Sequence, residues 1–232
     1  MTTDIASNLT QVRRRITLAA KRAGRDPAEV KLIAVSKTKP AAAVRDAIAA
    51  RCHAFGENKV QEAEGKISEI GQEGAEWHLI GHLQKNKARS AVQLFDVIHS
   101  IDSPELVHRL ERICGEEGKW TLDVLIQVDL AGEETKSGVA ETQLQLLVEV
   151  LKRCEHLRFV GLMALPPFFD DPEDARPFFQ RLRAIRDRLR DEGAFTAGDG
   201  ELSMGMTHDL EVAIEEGATM VRVGTAIFGE RN

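Results

Sequence analysis

Short apolar runs alternate along this chain with stretches in which apolar residues recur at every third or fourth position. A continuous run of four to eight apolar residues is typical of a buried parallel strand, whereas the wider spacing indicates a helix with one buried face. The first run, from Leu32 to Val35, ends on a serine and a lysine shortly before Pro40. The whole pattern predicts eight strands, at residues 32–35, 54–58, 77–81, 97–101, 122–128, 159–163, 201–204 and 220–223.

Helical spacing fills the intervals between these strands and also precedes the first of them. Near the start of the chain, apolar side chains stand at Ile5, Leu9, Val12, Ile16 and Ala19, so an extra N-terminal helix is expected. Further helices are predicted at residues 41–50, 59–70, 87–95, from 104 onward, around 144–151, at 174–190 and at 209–216. In the helix at 174–190, the residues expected to face the core are Phe178, Leu182, Ile185 and Leu189.

The even alternation of strand and helix predicts an α/β protein whose strands close into a single (β/α)8 (TIM) barrel. One domain is then expected to span residues 1–232, with the first helix as an addition to the barrel. An open, doubly wound sheet is the alternative. It is disfavoured because the alternation is so regular and because no Gly-x-Gly-x-x-Gly follows the first strand.

Composition narrows the classes of function. The formal net charge of −6 gives no electrostatic footprint for non-specific nucleic-acid binding. Cys52, Cys114 and Cys154 are widely spaced, and the histidines show no metal-binding spacing, so neither disulfides nor a metal site is expected. No apolar run approaches the roughly 20 residues that span a bilayer. We therefore expect a cytoplasmic protein, and a monomer.

Residues that follow the predicted strands are the candidates for a functional site, because all strands of a barrel end at one face. Lys37 follows the first strand. A lysine forms an imine with an aldehyde only as the neutral amine, so its site would have to lower a pKa of about 10.4; otherwise it is a solvated loop lysine. The other candidates are Asn58, Gly81 with His82, Ser100, Gln127 with Asp129, Met163, Ser203 to Gly205, and Arg222 to Thr225.

The loops after the seventh and eighth strands have the features of a phosphate site. Barrels often bind phosphate there. Residues 203–207 offer hydroxyl groups and a glycine where the chain enters a helix, and Gly224 and Thr225 offer free amides and a hydroxyl. Two ordinary glycine-containing turns remain the alternative.

Arg222 stands inside an otherwise apolar strand, at residues 220–223. A buried arginine needs partners, so an ion pair with Asp209 or Glu211 is one interpretation. The other is a contact with a ligand on the barrel axis. A phosphate site, an imine-forming lysine and an arginine would together match the phosphate, aldehyde and ring nitrogen of pyridoxal 5′-phosphate.

Motifs distributed over nearly the whole chain resemble those of the pyridoxal phosphate homeostasis proteins. Their occurrence together and in this order is highly specific. They are AVSKT at 34–38, FGEN at 55–58, WHLIGHLQ-x-NK at 77–87, KSG at 136–138, GLM at 161–163, SMGM at 203–206 and VRVGT-x-IFG at 221–229.

This resemblance implies a barrel of the alanine-racemase amino-terminal type, which is fold type III among pyridoxal phosphate proteins. It implies that the cofactor forms a Schiff base with Lys37 and that Arg222 faces the ring nitrogen. By the same resemblance, Ser203, Gly224 and Thr225 match phosphate contacts, and Asn58 and Met204 match the pocket wall.

A carrier of the cofactor is the first hypothesis for function. An arginine at the ring nitrogen opposes its protonation and so weakens the cofactor as an electron sink. Related racemases are understood to take a tyrosine base from an added domain, and this chain contains no tyrosine. We therefore expect a non-enzymatic protein of pyridoxal phosphate homeostasis that delivers the cofactor to apo enzymes.

Two enzymatic alternatives stay open. One is a fold-type-III enzyme with weak racemase or lyase activity, in which a cysteine or water acts as the second base. The other is a class I aldolase that uses Lys37 on a sugar phosphate. The recipient enzymes, the trigger for release and the role of Lys136 are not determined by the sequence.

Overall fold

Parallel hydrogen bonding joins eight strands of this protein into a closed barrel. The computed structural model describes residues 4–71, 74–132 and 137–230. Around the barrel the strands follow the order β4-β3-β2-β1-β9-β8-β7-β5, and pairing of β4 with β5 closes the ring. The strands are β1 (Lys31–Val35), β2 (Ala54–Glu57), β3 (Glu76–Leu79), β4 (Val97–Ile101), β5 (Leu122–Asp129), β6 (Val139–Ala140), β7 (Leu157–Met163), β8 (Glu201–Ser203) and β9 (Met220–Val223).

Helices occupy the intervals between the strands and cover the outside of the barrel. The predicted barrel and its extra N-terminal helix are thereby confirmed. The helices are α1 (Ile5–Arg22), α2 (Ala41–Ala49), α3 (Val60–Ile70), α4 (Ala88–Leu94), α5 (Pro104–Glu117), α6 (Leu144–Leu151), α7 (Arg176–Asp191), α8 (Leu210–Glu215) and α9 (Thr225–Phe228).

Three local features differ from the sequence prediction. The two-residue strand β6 pairs with the end of β5 and was not predicted. A 3₁₀ turn at Pro172–Ala175 precedes α7, which therefore begins two residues later than expected. On α7 the buried aromatic residue is Phe179 rather than Phe178, whereas Leu182, Ile185 and Leu189 are buried as predicted. Phe178 instead packs against Phe169, with ring centroids 5.7 Å apart.

The N-terminal helix α1 is fixed to the last elements of the chain. The Asp4 side chain caps it by accepting a hydrogen bond from the Ser7 amide at 2.9 Å. Asn8 Nδ2 donates to the Ile227 carbonyl at 2.9 Å, and Arg15 pairs with Glu211 at 2.6 Å. Helix α1 thus packs against α8 and α9 at the end of the chain and against α2 near its start. No helix in the described ranges is both long and apolar enough to cross a membrane.

The core has an apolar outer layer and a mixed interior. The largest apolar cluster packs the helices against the outer faces of the strands, with Trp77, Phe55 and Phe95 fully buried in it. Inside the barrel, two smaller apolar clusters lie beside buried polar side chains. These polar residues are His78, His99, Ser203 and Arg222, each at most 3% exposed.

Close backbone approach between β7 and β8 makes Gly161 a test of the barrel packing. A Cβ at Gly161 would lie 2.3 Å from the Glu201 carbonyl oxygen, so the two strands would have to separate. We predict that Gly161→Ala lowers the free energy of unfolding by about 1–3 kcal/mol in urea titration.

Gly65 on α3 is the matched control, because nothing lies within 4 Å of a Cβ built there. Gly65→Ala should raise the free energy of unfolding by about 0.5–1 kcal/mol through lower chain entropy in the unfolded state. An unchanged stability in Gly161→Ala would mean that the strands are not held at this distance.

Candidate functional site

A cavity of about 680 Å³ opens at the carboxyl ends of the barrel strands. Because every strand runs in the same direction, the loops after them meet at this face. The cavity combines apolar walls with a few converging polar groups, as small-molecule sites do. The predicted site residues in its wall are Lys37, Asn58, Gly81, His82, Gln127, Asp129, Arg222, Gly224 and Thr225.

The remaining candidates are not in the cavity wall. Ser100, Met163, Ser203 and Met204 are fully buried, and Met204 belongs to the large apolar cluster. The Ser203 hydroxyl is turned into the barrel, where it contacts other buried polar groups. A phosphate contact for Ser203 and a pocket-wall role for Met204 therefore stay predictions, and their side chains do not support either. Lys136 lies outside the described residues.

Lys37 lies between two neighbouring loops that also line the cavity. Strand β1 pairs with β2 on one side and with β9 on the other. The residues just past these strands are Asn58 on one side, and Gly224 and Thr225 on the other. Lys37 is half-buried, and the next residue, Thr38, has a left-handed backbone with φ of +65°. The short strand-to-helix loop therefore turns sharply at the lysine.

A buried ion-pair cluster behind the cavity fixes that loop. Lys66 Nζ donates to the Ser36 carbonyl at 2.6 Å, to Glu57 Oε1 at 2.6 Å and to Glu62 Oε1 at 2.8 Å. The Ser36 hydroxyl also donates to Glu57 Oε1 at 2.6 Å, and the Thr38 amide donates to Glu62. Both residues flanking Lys37 are thus held by the same cluster, which we call the Lys66 cluster.

The Lys66 cluster carries charge at buried positions, since the Lys66 and Glu57 side chains are 7% and 0% exposed. Glu57 is fully buried, and this burial raises its pKa, although hydrogen bonds from Lys66 and Ser36 act in the opposite direction. A buried carboxylate is costly unless it is paired and hydrogen-bonded. The Lys66 ammonium therefore stabilises both the Glu57 carboxylate and the conformation of the loop.

Arg222 is buried on the barrel axis at the floor of the cavity. Its Nη1 donates to Ser203 Oγ at 2.5 Å, and its Nη2 donates to the Ala164 carbonyl at 2.9 Å. Burial lowers its pKa to about 10, so the guanidinium is still charged at neutral pH. The ion pair with Asp209 or Glu211, which was one of the two interpretations of Arg222, is not formed, although the Asp209 charge still acts to raise the pKa of Arg222. Glu211 pairs with Arg15 on the outside of the barrel, and Asp209 accepts the Met206 amide at 2.6 Å.

An apolar rim and two histidines complete the cavity. The rim at residues 165–168 includes Phe168, which is 74% exposed and whose ring lies 5.3 Å from that of His208. On the opposite loops, His82 Nδ1 lies 3.2 Å from Asp102 Oδ2. The sequence analysis did not include the rim or His208, although both follow predicted strands. The candidates were limited to residues that directly follow a predicted strand, and including several further residues of each loop would have found the rim and His208.

Sequence reasoning also missed the Lys66 cluster. Its signal was present, because Lys66 follows Val60 and Ala63 at the three-residue spacing that marks the buried face of α3. A lysine at such a position requires a buried acceptor.

Within the described ranges, no group of three or more His, Cys, Asp or Glu side chains is arranged to hold a metal ion.

Comparisons with known proteins agree with the fold. The family model described as "Alanine racemase, N-terminal domain" matches residues 7–232. A protein of Pseudomonas aeruginosa named "Pyridoxal phosphate homeostasis protein" is 46% identical over 228 residues, which covers 98% of this chain and 96% of the relative. A relative of the same name from Aquifex aeolicus is 42% identical over 223 residues, or 96% of each chain.

Solved structures of similar fold include a pyridoxal phosphate protein and an alanine racemase. PipY of Synechococcus elongatus, determined with pyridoxal phosphate bound, is 39% identical with a TM-score of 0.85 and covers 97% of this chain and 100% of its own. Alanine racemase of Clostridium difficile shares the fold alone, at 15% identity and a TM-score of 0.74, and this chain covers 57% of it.

The matched family model defines the class as the alanine racemase amino-terminal barrels. Within that class, the chain belongs to the family of the pyridoxal phosphate homeostasis proteins. The resemblance that the sequence motifs indicated is thereby confirmed.

The charge of the Lys66 cluster predicts a pH-dependent effect of Lys66→Met. Glu57 titrates near its ordinary value of about 4.3 in the unfolded chain, and removing the ammonium would raise its folded pKa further. A carboxyl with a raised folded pKa makes the folded state less stable as pH rises through the window between the two values. We expect a small loss near pH 4.5 and a loss of about 3 kcal/mol at pH 8.

Urea unfolding of the variant and the unchanged protein at both pH values measures this difference. Lys21→Met, on the exposed face of α1, is the control and should change stability little at either pH. A loss in Lys66→Met that is equal at both pH values would contradict the assigned role of Glu57.

Proposed function

We propose that this protein binds pyridoxal 5′-phosphate, holds it as a Schiff base on Lys37 and supplies it to apo pyridoxal-phosphate enzymes. In this proposal the protein catalyses no reaction of its own. It concerns a small molecule and other proteins as partners, and it locates the protein in the cytoplasm as a monomer.

One observation carries the proposal. Lys37 and Arg222 open into the same cavity from adjacent strands, together with Gly224 and Thr225. Pyridoxal phosphate presents an aldehyde, a ring nitrogen and a phosphate. The amine would take the aldehyde, the guanidinium would meet the ring nitrogen, and the Gly224–Thr225 loop would hold the phosphate through amides and a hydroxyl. The cavity residues therefore fit the cofactor, as the family and the cofactor-bound PipY structure also support.

The electrostatics of the cavity favour holding over turnover. Bound pyridoxal phosphate acts as an electron sink, most strongly when its ring nitrogen is protonated. Arg222 is itself a buried cation with a pKa of about 10, and a second cation at hydrogen-bond distance would be repelled. The chain also contains no tyrosine that could serve as a second base. Both features support a carrier.

A second candidate function is a weak racemase or lyase. It is favoured by the pair of His82 and Asp102, because a histidine held by a carboxylate at the cavity wall could accept a proton. The class I aldolase is less well supported than either, because the relatives and the ligand-bound neighbour are named for pyridoxal phosphate rather than for a sugar phosphate.

Reductive trapping tests the attachment. The protein loaded with pyridoxal phosphate should be yellow, and borohydride should bleach it and leave a pyridoxyl group on Lys37 in peptide mass spectra. Lys37→Ala should stay colourless after removal of free cofactor, because its side chain has no amine.

Lys39→Ala is the matched control, since Lys39 Nζ donates to the Glu230 carbonyl on the outer side of the same loop. Trapping on another lysine would contradict the assignment of Lys37. Racemisation or decarboxylation of an amino acid by the purified protein, lost in Lys37→Ala, would favour the enzymatic candidate over the carrier.

Transfer to an apo enzyme tests delivery. The loaded protein should reactivate an apo pyridoxal-phosphate enzyme faster than an equal concentration of free cofactor, because contact would avoid dilution of the released aldehyde. A dialysis membrane between the two proteins should abolish this advantage. Equal rates with and without the membrane would leave storage as the function and exclude direct delivery.

A further inference from the structure

A row of buried polar side chains runs along the barrel axis from the cavity to the opposite mouth. Arg222 Nη1 lies 2.5 Å from Ser203 Oγ, which lies 2.9 Å from His99 Nδ1. His99 Nε2 lies 2.9 Å from His78 Nδ1, and His78 Nε2 lies 3.4 Å from Glu76 Oε2. Glu76 begins β3, so it lies at the amino end of the strands, far from the cavity. We call these five residues the axial chain.

The two ends of the axial chain determine the direction of their hydrogen bonds. A guanidinium can only donate, so Ser203 Oγ accepts from Arg222. At the other end, the nearby His78 and Lys31 side chains lower the pKa of Glu76 to about 2, and an ionised carboxylate can only accept. The 3.4 Å contact is long for a hydrogen bond. His78 Nε2 has no hydrogen-bond partner within the described chain, and the Glu76 carboxylate is the acceptor that lies beside it.

The hydroxyl proton of Ser203 determines which way the hydrogen bond between Ser203 and His99 runs. Burial holds the pKa of His99 well below its ordinary value, so His99 is neutral with one donor and one acceptor nitrogen. If His99 Nδ1 donated to Ser203, the serine would accept twice and its own proton would have no acceptor, because Oγ contacts only Arg222 and His99 among the described residues. Buried donors are rarely left unpaired. Ser203 therefore donates to His99.

The direction of the hydrogen bond between His99 and His78 follows from the one between Ser203 and His99. With Nδ1 accepting, neutral His99 carries its proton on Nε2 and donates it to Nδ1 of His78. His78 then donates through Nε2 to Glu76. Every donor in the axial chain points the same way, from the guanidinium at the cavity to the carboxylate at the far mouth.

We propose that His99 and His78 are positioning residues for Arg222, and that the one-way axial chain ending on Glu76 orients the guanidinium toward the cofactor ring. The ligand in this inference rests on the proposed function, whereas the direction of the axial chain is a property of the free protein. Arg222 is a buried cation whose own hydrogen bonds go to a hydroxyl and a carbonyl, and the Asp209 charge acts on it without a direct contact. A directed path to Glu76 adds a hydrogen-bonded route to a second carboxylate.

Histidine tautomers test the direction without any cofactor. In nitrogen-15 NMR spectra of the free full-length protein, the signals of His78 and His99 should both show a proton on Nε2 and none on Nδ1. Glu76→Leu removes the acceptor and keeps water away from His78, so both histidines should lose this single form. Lys31→Met is the control, because it removes the 2.9 Å partner of Glu76 and leaves the carboxylate in place.

Cofactor affinity tests the positioning role. Ser203→Ala breaks the link between Arg222 and His99, so the dissociation constant for pyridoxal phosphate should rise roughly tenfold, and for Glu76→Leu roughly threefold. Ser100→Ala is the matched control, since this serine is equally buried on β4 and its Oγ has no hydrogen-bond partner in the described chain.

Different results would overturn the direction of the axial chain and the positioning role of its histidines. A proton on Nδ1 of either histidine, or a doubly protonated His78, would overturn the one-way axial chain. Expected tautomers with unchanged affinity in Ser203→Ala would overturn the positioning role. Failure of the unchanged protein to bind pyridoxal phosphate would instead overturn the proposed function, while the NMR measurement would still decide the direction of the axial chain.

Discussion

The burial of one guanidinium on the barrel axis is the constraint on which the interior of this protein depends. Arg222 is 3% exposed, and its hydrogen bonds go to the Ser203 hydroxyl and the Ala164 carbonyl. An isolated charge in a low-dielectric interior is costly, so the surrounding strands must supply oriented polar groups. Strands β3, β4 and β8 each contribute one, namely His78, His99 and Ser203. The barrel interior is consequently polar along its axis and apolar around it.

A second buried charge pair fixes the other side of the cavity by the same physics. The Lys66 ammonium contacts the fully buried Glu57 carboxylate and the Ser36 carbonyl, both at 2.6 Å. Because these contacts hold the backbone on either side of Lys37, the amine starts from a fixed point while its side chain reaches into the cavity. Lys37 and Arg222 are thus both positioned by buried electrostatic contacts.

These features favour a site that retains a ligand. The alanine racemase that shares this fold is considerably longer, and this chain covers 57% of it. A barrel that presents an amine and a permanent cation to the same cavity can capture an aldehyde reversibly, while the cation opposes the ring protonation on which carbanion chemistry depends. Reversible capture of an aldehyde by one lysine is what the proposed carrier function requires.

The sequence by itself determined the fold and the part of the site that strand ends define. Eight apolar runs with helical spacing between them can only be buried together by a closed or doubly wound parallel sheet, and the order of the motifs placed Lys37, Asn58 and Gly224 at one face. The tertiary structure alone decided which side chains turn inward. Arg222 donates to Ser203 and Ala164 rather than to Asp209 or Glu211, which was one of its two interpretations, and the Ser203 hydroxyl faces the barrel axis rather than the cavity. A strand sequence gives the alternation of faces but not the partners across a barrel, because those partners come from strands that are distant in the chain.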